Sequence, residues 1–274
     1  MEIRSVKTVW FSPTGTTNAV VAAIARGIDA GTPDIIDITR PAGRKLSLQT
    51  SAHDLLIVGV PVYLGRIPAL AGDWLRTLVA QDTPAVCVVV YGNRAYDDAL
   101  LELHDILAER GCRPVAGAAC IGQHSFSTPG AVTAEGRPDA RDCAQAEAFG
   151  KNVGEKLRAV TSPVQAPAVS FPGSRPYRMA TCHPYREGTP FWNVDFIAVG
   201  DSCIQCGRCA EGCPVGAIDP EDSRAIDTKR CITCCACIRY CPVQAKTIMP
   251  GIVQDASLRV FTLNKEHREP EWFL

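Results

Sequence analysis

Residues 9–27 read VWFSPTGTTNAVVAAIARG. An apolar run ends at Ser12, a short loop of small and hydroxyl-bearing residues follows, and apolar residues then recur at Val20, Val21, Ile24 and Ile28 with helical spacing. The pattern predicts a strand over 5–11 and a helix over 17–30, with a loop between them that carries no Lys or Arg. Working outward, the same alternation repeats. DIIDI (34–38), DLLIVGVPVY (54–63), PAVCVVVYG (84–92) and RPVAGAACIG (113–122) read as further strands. Segments 67–80, 96–111 and 139–160 read as helices, the second closing at Gly111. Strands that are apolar on both faces and alternate with helices predict an α/β fold, a doubly wound parallel five-stranded sheet.

In such a sheet a ligand binds beyond the carboxyl ends of the strands, at the switch point. The opening loop lies there. Ser12, Thr14, Thr16 and Thr17 offer hydroxyls, Gly15 permits close backbone approach, and the helix that follows presents free N–H groups. This is an anion site built from neutral donors at a helix N-terminus. It lacks the Gly-Lys-Ser/Thr of a Walker loop and the Gly-x-Gly-x-x-Gly of a dinucleotide site. A plain Ser/Thr helix cap is the alternative.

Composition bounds the function. The chain has 274 residues, is 46% apolar and carries a net charge of −1 with no long run of one sign. That speaks against a nucleic-acid groove binder and against a polybasic membrane anchor. No stretch approaches the ~18 apolar residues of a membrane span, and the N-terminus lacks a signal-peptide pattern. The expected setting is cytoplasmic.

Cysteine breaks the ordinary picture. Of the 14 cysteines, Cys87, Cys112, Cys120 and Cys143 are scattered as free or buried thiols often are, and Cys182 stands alone; the rest crowd into residues 203–241. CIQCGRCAEGCPVGAI (203–218) and CITCCACIRYCPVQAK (231–246) form an internal repeat, each reading C-x2-C-x2-C-x3-C-P. The spacing lets three thiolates from one loop take three corners of a cubane while the fourth reaches the other cluster. The expected wiring is therefore crossed. Cys203, Cys206 and Cys209 join Cys241 on one [4Fe–4S] cluster, and Cys231, Cys234 and Cys237 join Cys213 on the other. Cys235 is left over and reads as a small packed residue. Structural zinc is the competing reading, but it favours separated Cys pairs, often with His, and the repeats contain no His.

Residues 199–250 resemble the bacterial-type ferredoxin with two [4Fe–4S] clusters, a small α+β domain. The S-x-T-G-x-T of the opening loop resembles the FMN phosphate loop of flavodoxins. PVYLGRIP (61–68) and YGNRAYDD (91–98) stand where flavodoxin loops flank the isoalloxazine ring. The resemblance implies FMN held by Ser12, Thr14, Gly15, Thr16 and Thr17 at the phosphate. Around the ring it implies Pro61, Val62, Tyr63, Leu64 and Gly65 on one side and Gly92, Asn93, Arg94, Tyr96 and Asp98 on the other. Tyr63 and Tyr96 are expected to stack on the ring, or else to plug the sheet edge. GQHSFS (122–127) would cover the site, with His124 read as a solvated loop residue.

Over nearly its full length the chain resembles a family of fused flavodoxin–ferredoxin proteins of anaerobic prokaryotes. The resemblance extends to PGSRPY (172–177) and the closing REPEWFL. The expected divisions are a flavodoxin-like domain over 1–160, a Pro-rich linker over 161–198, a ferredoxin domain over 199–252, and a tail over 253–274 packing on the core. Within the linker, Cys182 and His183 have no expected role. The resemblance implies an electron-transfer flavoprotein relaying between two [4Fe–4S] clusters and FMN, served by a redox protein such as a low-potential ferredoxin or oxidoreductase. A ferredoxin-linked flavin reductase acting on a small oxidised substrate is the alternative, and no catalytic residue is assigned. A homodimer is one arrangement the sequence leaves open.

Overall fold

A computed structural model describes residues 1–177 and 190–274; Cys182 and His183 lie outside the described residues. The first part contains β1 (Ser5–Trp10), α1 (Thr16–Ile28), β2 (Asp34–Asp37), β3 (Asp54–Pro61) and α2 (Ala69–Leu75). It continues through β4 (Thr83–Tyr91), α3 (Ala99–Glu109), β5 (Cys112–Ile121) and α4 (Ala140–Arg158). β1 pairs in parallel with β2 and β3, β3 with β4, and β4 with β5. The resulting order 2-1-3-4-5 is the flavodoxin-like arrangement, with its switch point beside β1 and β3.

Apolar side chains cover both faces of the sheet. Every residue of β4 is buried, which is why β-branched valines fill it rather than an alternating pattern. On one face Val20, Val21 and Ile24 of α1 pack with Phe149, Val153 and Leu157 of α4. On the other, Trp74 and Leu75 of α2 pack with Leu100, Leu103 and Leu107 of α3. That second core does not stop at the α/β domain: Ile232, Cys234 and Ala236 of the cysteine-rich part belong to it.

The expected helix over 67–80 is shorter, Ala69–Leu75, because Val79–Ala80 pair in parallel with Gln49–Thr50. The stretch that follows α4 is not a bare spacer. Phe171 meets His104 and Phe273 edge-on, with centroids 5.5 Å apart in each pair. Arg175 Nε and the Tyr177 hydroxyl donate to Asp105 at 2.7 and 2.8 Å.

The second part contains β6 (Ile197–Val199), α5 (Arg208–Glu211), α6 (Ala236–Arg239), β7 (Lys246–Ile248), α7 (Ile252–Leu263) and β8 (Glu271–Phe273). β6 pairs antiparallel with β7, so pairing begins at Ile197, inside the stretch that composition assigns to the linker. After α7 the chain returns to the first domain, where β8 pairs antiparallel with β5. This sixth strand covers the β5 edge that a five-stranded sheet would leave open. No helix among the described residues is long and apolar enough to cross a membrane.

Candidate functional site

The opening loop folds as a turn, with Gly15 N–H donating to Ser12 O at 3.3 Å. Gly15 has φ +86°, a conformation that a side chain resists, and it starts α1. Ser12 Oγ accepts the Asn18 N–H at 3.1 Å, and the Ser12 N–H donates to Thr39 Oγ1 at 2.8 Å. Thr17 is 1% exposed, and its Oγ1 is one of three buried side-chain polar atoms among the described residues without a hydrogen-bond partner. Thr17 stands in the first turn of α1, directly after the hydroxyl-rich loop, where a buried hydroxyl without a partner is unusual. These residues fit a phosphate.

Two cavities lie at the carboxyl edge of the sheet, and the larger adjoins this loop. The larger, about 620 Å³, is lined by Thr14, Thr16 and His124 from the α/β domain and by Cys235, Cys241 and Lys246 from the cysteine-rich part. The second, about 410 Å³, is lined by Tyr63, Gly65, Gly92 and Arg94, and by Phe126 and Phe191. His124 and Ser125 line both, and each volume is of the size that holds a small-molecule cofactor. Tyr63 reaches its place through a tight turn. Its N–H and C=O bond to Arg66 at 2.8 and 3.0 Å, with Leu64 and Gly65 both at positive φ. Val62 and Leu64 also line the second cavity, and Pro61 closes β3 against β4.

Three expected ring residues point elsewhere. Tyr96 is 8% exposed, lies 5.4 Å from Tyr91 between ring centroids, and donates its hydroxyl to Glu271 at 2.8 Å. It anchors the tail and does not line the flavin-sized cavity. Asn93, 4% exposed, donates from Nδ2 to Asn264 O and Glu266 O, both at 2.9 Å. Asp98, 2% exposed, accepts the Ser174 N–H at 2.9 Å. The returning tail and the segment before residue 178 take up these side chains; a reading of the 91–98 loop in isolation misses that competition.

His124 is half-buried between the two cavities, not solvated. A Cβ built on Gly92 would lie 2.2 Å from its ring, so the imidazole rests directly on that glycine. Nδ1 accepts the Phe126 N–H at 3.1 Å, which leaves the ring proton on Nε2. Burial, with the Arg94 guanidinium adding to it, pushes the imidazole down to about 4. At neutral pH it is therefore an uncharged hydrogen-bond donor.

The cysteine-rich part gathers one of the two expected sets around a common cavity. Cys213, Cys231, Cys234 and Cys237 line one small cavity, shared with apolar residues such as Ile218 and Ile232. These are the four cysteines that crossed wiring would give to one cluster, and Cys235 lines the same cavity. Burial pushes the Cys231 and Cys237 thiols above their ordinary range. The other set is more open: Cys203 is half-buried and Cys206 exposed, with Cys209 buried and Cys241 half-buried. Backbone N–H groups of Ala217 and Ala245 donate to Cys213 Sγ and Cys241 Sγ, each at 3.2 Å. Such bonds stabilise thiolate ligands and tune a cluster. Cys87, Cys112 and Cys120 are buried in the α/β domain as free thiols, and Cys143 is half-buried.

Contacts between the two parts were not legible in either motif. A Cβ on Gly15 would lie 3.2 Å from the Tyr240 hydroxyl, so the residue before Cys241 sits on the opening loop. Arg40 pairs with Glu211 at 3.2 Å, and Arg44 Nη2 donates to Pro214 O at 2.5 Å. Phe126 meets Phe191 edge-on at 5.7 Å, and Ser257 Oγ of α7 donates to Phe126 O at 2.6 Å.

Residues 196–247 match the 4Fe-4S dicluster domain family. The NADH-quinone oxidoreductase subunit I 2 of Symbiobacterium thermophilum is 35% identical over 71 residues, covering 22% of this chain and 30% of that protein's length. Among solved structures, a flavodoxin from the domain Archaea is 16% identical, covers 56% of this chain and 99% of its own, with a TM-score of 0.39. Flavodoxin 2 from Bacillus cereus is 19% identical, with 54% and 99% covered and a TM-score of 0.39. An NADH:FMN oxidoreductase is 16% identical, with 60% and 95% covered and a TM-score of 0.39. The chain joins a flavodoxin-like α/β domain, identified by its strand order, to a 4Fe-4S dicluster domain.

Proposed function

We propose that this chain is an electron-transfer iron–sulfur flavoprotein of the cytoplasm in anaerobic metabolism, holding FMN and two [4Fe–4S] clusters and converting between one-electron carriers and a two-electron partner. The observation that carries the reading is the cavity of about 620 Å³, walled on one side by Thr14, Thr16 and His124 and on the other by Cys235 and Cys241. A flavin exchanges one or two electrons and a cluster exchanges one.

The residues divide the work. Ser12, Thr14, Gly15, Thr16 and Thr17 would hold the phosphate. Val62, Tyr63, Leu64, Gly65, Gly92 and Arg94 would hold the ring. The eight repeat cysteines, in the two crossed sets, would hold the clusters. His124, uncharged, offers Nε2–H without placing a charge in the site. The 203–209 loop, with Cys206 and Ile204 exposed, is the face offered to a low-potential redox partner. A second reading, reduction of a small oxidised substrate, draws on Arg94 and His124 lining the same cavity as Tyr63.

Stepwise reduction of the anaerobically purified protein, followed by absorption and EPR together, tests the proposal. Bound FMN with two interacting [4Fe–4S] signals is expected. Clusters without flavin would overturn the flavoprotein reading and leave the opening loop as a helix cap. Turnover of a defined acceptor well above that of free FMN would favour the reductase.

A further inference from the structure

The repeats are offset by 28 positions, and that register makes one pair conspicuous. CPVGAI places Ile218 where CPVQAK places Lys246. Both are buried: Ile218 is 4% exposed and Lys246 2%. Ile218 lines the small cavity of Cys213, Cys231, Cys234 and Cys237. The backbones that lead to both positions match, since Ala217 and Ala245 make the same 3.2 Å bond to the preceding ligand sulfur. By that register Lys246 is the counterpart on the Cys241 side, and it lines the larger cavity together with Cys241.

Its surroundings agree. Lys246 Nζ donates to Ser223 O at 2.7 Å. The Ser223 N–H donates to Gln205 Oε1 at 2.8 Å, within the loop between Cys203 and Cys206. Gln205 Nε2 in turn donates to Asp222 at 3.1 Å. Asp222 feels the lysine's charge, as does Cys237 of the other set. Among the described residues Lys246 makes no ion pair, only the bond to a carbonyl. A buried ammonium with no carboxylate in direct contact is costly. A cubane held by four thiolates is an anion, and reduction adds one more negative charge.

We infer that Lys246 makes the two cluster sites unequal: its buried positive charge raises the reduction potential of the site formed by Cys203, Cys206, Cys209 and Cys241 above that of the site lined by Ile218. The physical cause is that a fixed cation stabilises the reduced, more negative state more than the oxidised one. Lys246 acts as a positioning charge and ligates nothing. The inference rests on the cluster reading of the two cysteine sets.

The test is an EPR-monitored anaerobic redox titration of the full chain, wild type beside Lys246→Met and Lys246→Arg, with iron content measured on each. Wild type is expected to show two separated midpoints. Lys246→Met is expected to move the upper midpoint down and narrow the gap, and Lys246→Arg to keep the gap open. Lys246→Gln, which retains polarity at the Ser223 carbonyl, carries the same expectation should the methionine variant load iron poorly. A single wild-type midpoint, an unchanged gap, or a shift confined to the lower midpoint overturns the inference and leaves the cluster reading intact. Absence of iron–sulfur signals in wild type overturns both.

Discussion

Ile204 and Ile232 hold the same place in the two cysteine repeats, yet Ile204 is 63% exposed and Ile232 only 4%. The next cysteines follow suit, with Cys206 exposed and Cys234 buried. The backbones hardly differ: Gln205 and Thr233 have φ of 54° and 53°, and Gly216 and Gln244 of 59° and 51°. One loop is presented to solvent, and the other joins the apolar core that the sheet shares with α2 and α3. Local spacing thus dictates how a loop wraps its ligands, while docking dictates how dry it becomes. Since solvent exposure is one lever on a cluster's potential, the same motif used twice yields two different environments.

The leftover cysteine is explained by the same comparison. Cys235 has φ 58° and stands where the first repeat has Gly207 with φ 72°. Both begin a short helix in the left-handed region. Cys235 is 3% exposed and lines both the small cysteine cavity and the 620 Å³ cavity. Its thiol packs between them, a role that burial offers and a glycine would leave empty.

The comparison breaks most sharply at a ligand. Cys234→Ala is expected to remove the inner cluster and weaken domain docking together, whereas Cys206→Ala removes only the outer one; iron content and thermal unfolding under anaerobic conditions separate the two. Next, Ile232→Ala should cost roughly 3 kcal/mol, the usual cost of truncating a buried branched side chain. Ile204→Ala should stay within about 0.5 kcal/mol. Equal costs in denaturant unfolding would mean that the second repeat is not docked on the α/β core in solution.

Phe126 stands edge-on to both His124 and Phe191. The His124 imidazole, held down at about 4, titrates near 6.5 when unfolded. Between those values the unfolded chain binds the extra proton, so stability is full above the unfolded value and falls as pH drops through the window. Unfolding at about pH 7.5 and pH 5 should differ by up to about 2 kcal/mol from this group, and His124→Gln should remove that part. A smaller effect probes the backbone alone. Gly207 has nothing within 4 Å of a built Cβ, so Gly207→Ala should cost only the left-handed penalty, about 1 kcal/mol. A much larger loss would show that the outer loop is covered after all.

Much of the molecule was legible in order. Hydrophobic runs in β1, β3 and β4 and the helical spacing of α1 depend on neighbours a few residues away, and the structure keeps them. The cysteine repeat is equally local. Tyr96, Asn93 and Asp98 show where that reach ends. Each sits in a loop facing the expected cofactor, and each is claimed by a partner far along the chain: Glu271, Asn264 and Ser174. His124 reads as a solvated loop residue until Phe126 and Phe191 close beside it.

By itself, then, the sequence determined the alternation of strands and helices, the hydroxyl loop with its glycine, and the spacing of the two cysteine repeats. These follow from backbone geometry and side-chain periodicity, which act over one or two turns. Only the tertiary structure decided which repeat is buried, which loop residues face the cavity, and that the tail returns to close the sheet edge at β5. Those outcomes depend on contacts between residues more than a hundred positions apart, such as Ser257 with Phe126 and Tyr96 with Glu271. No local pattern encodes such pairs, because they form only when both domains have folded and buried their shared apolar surface.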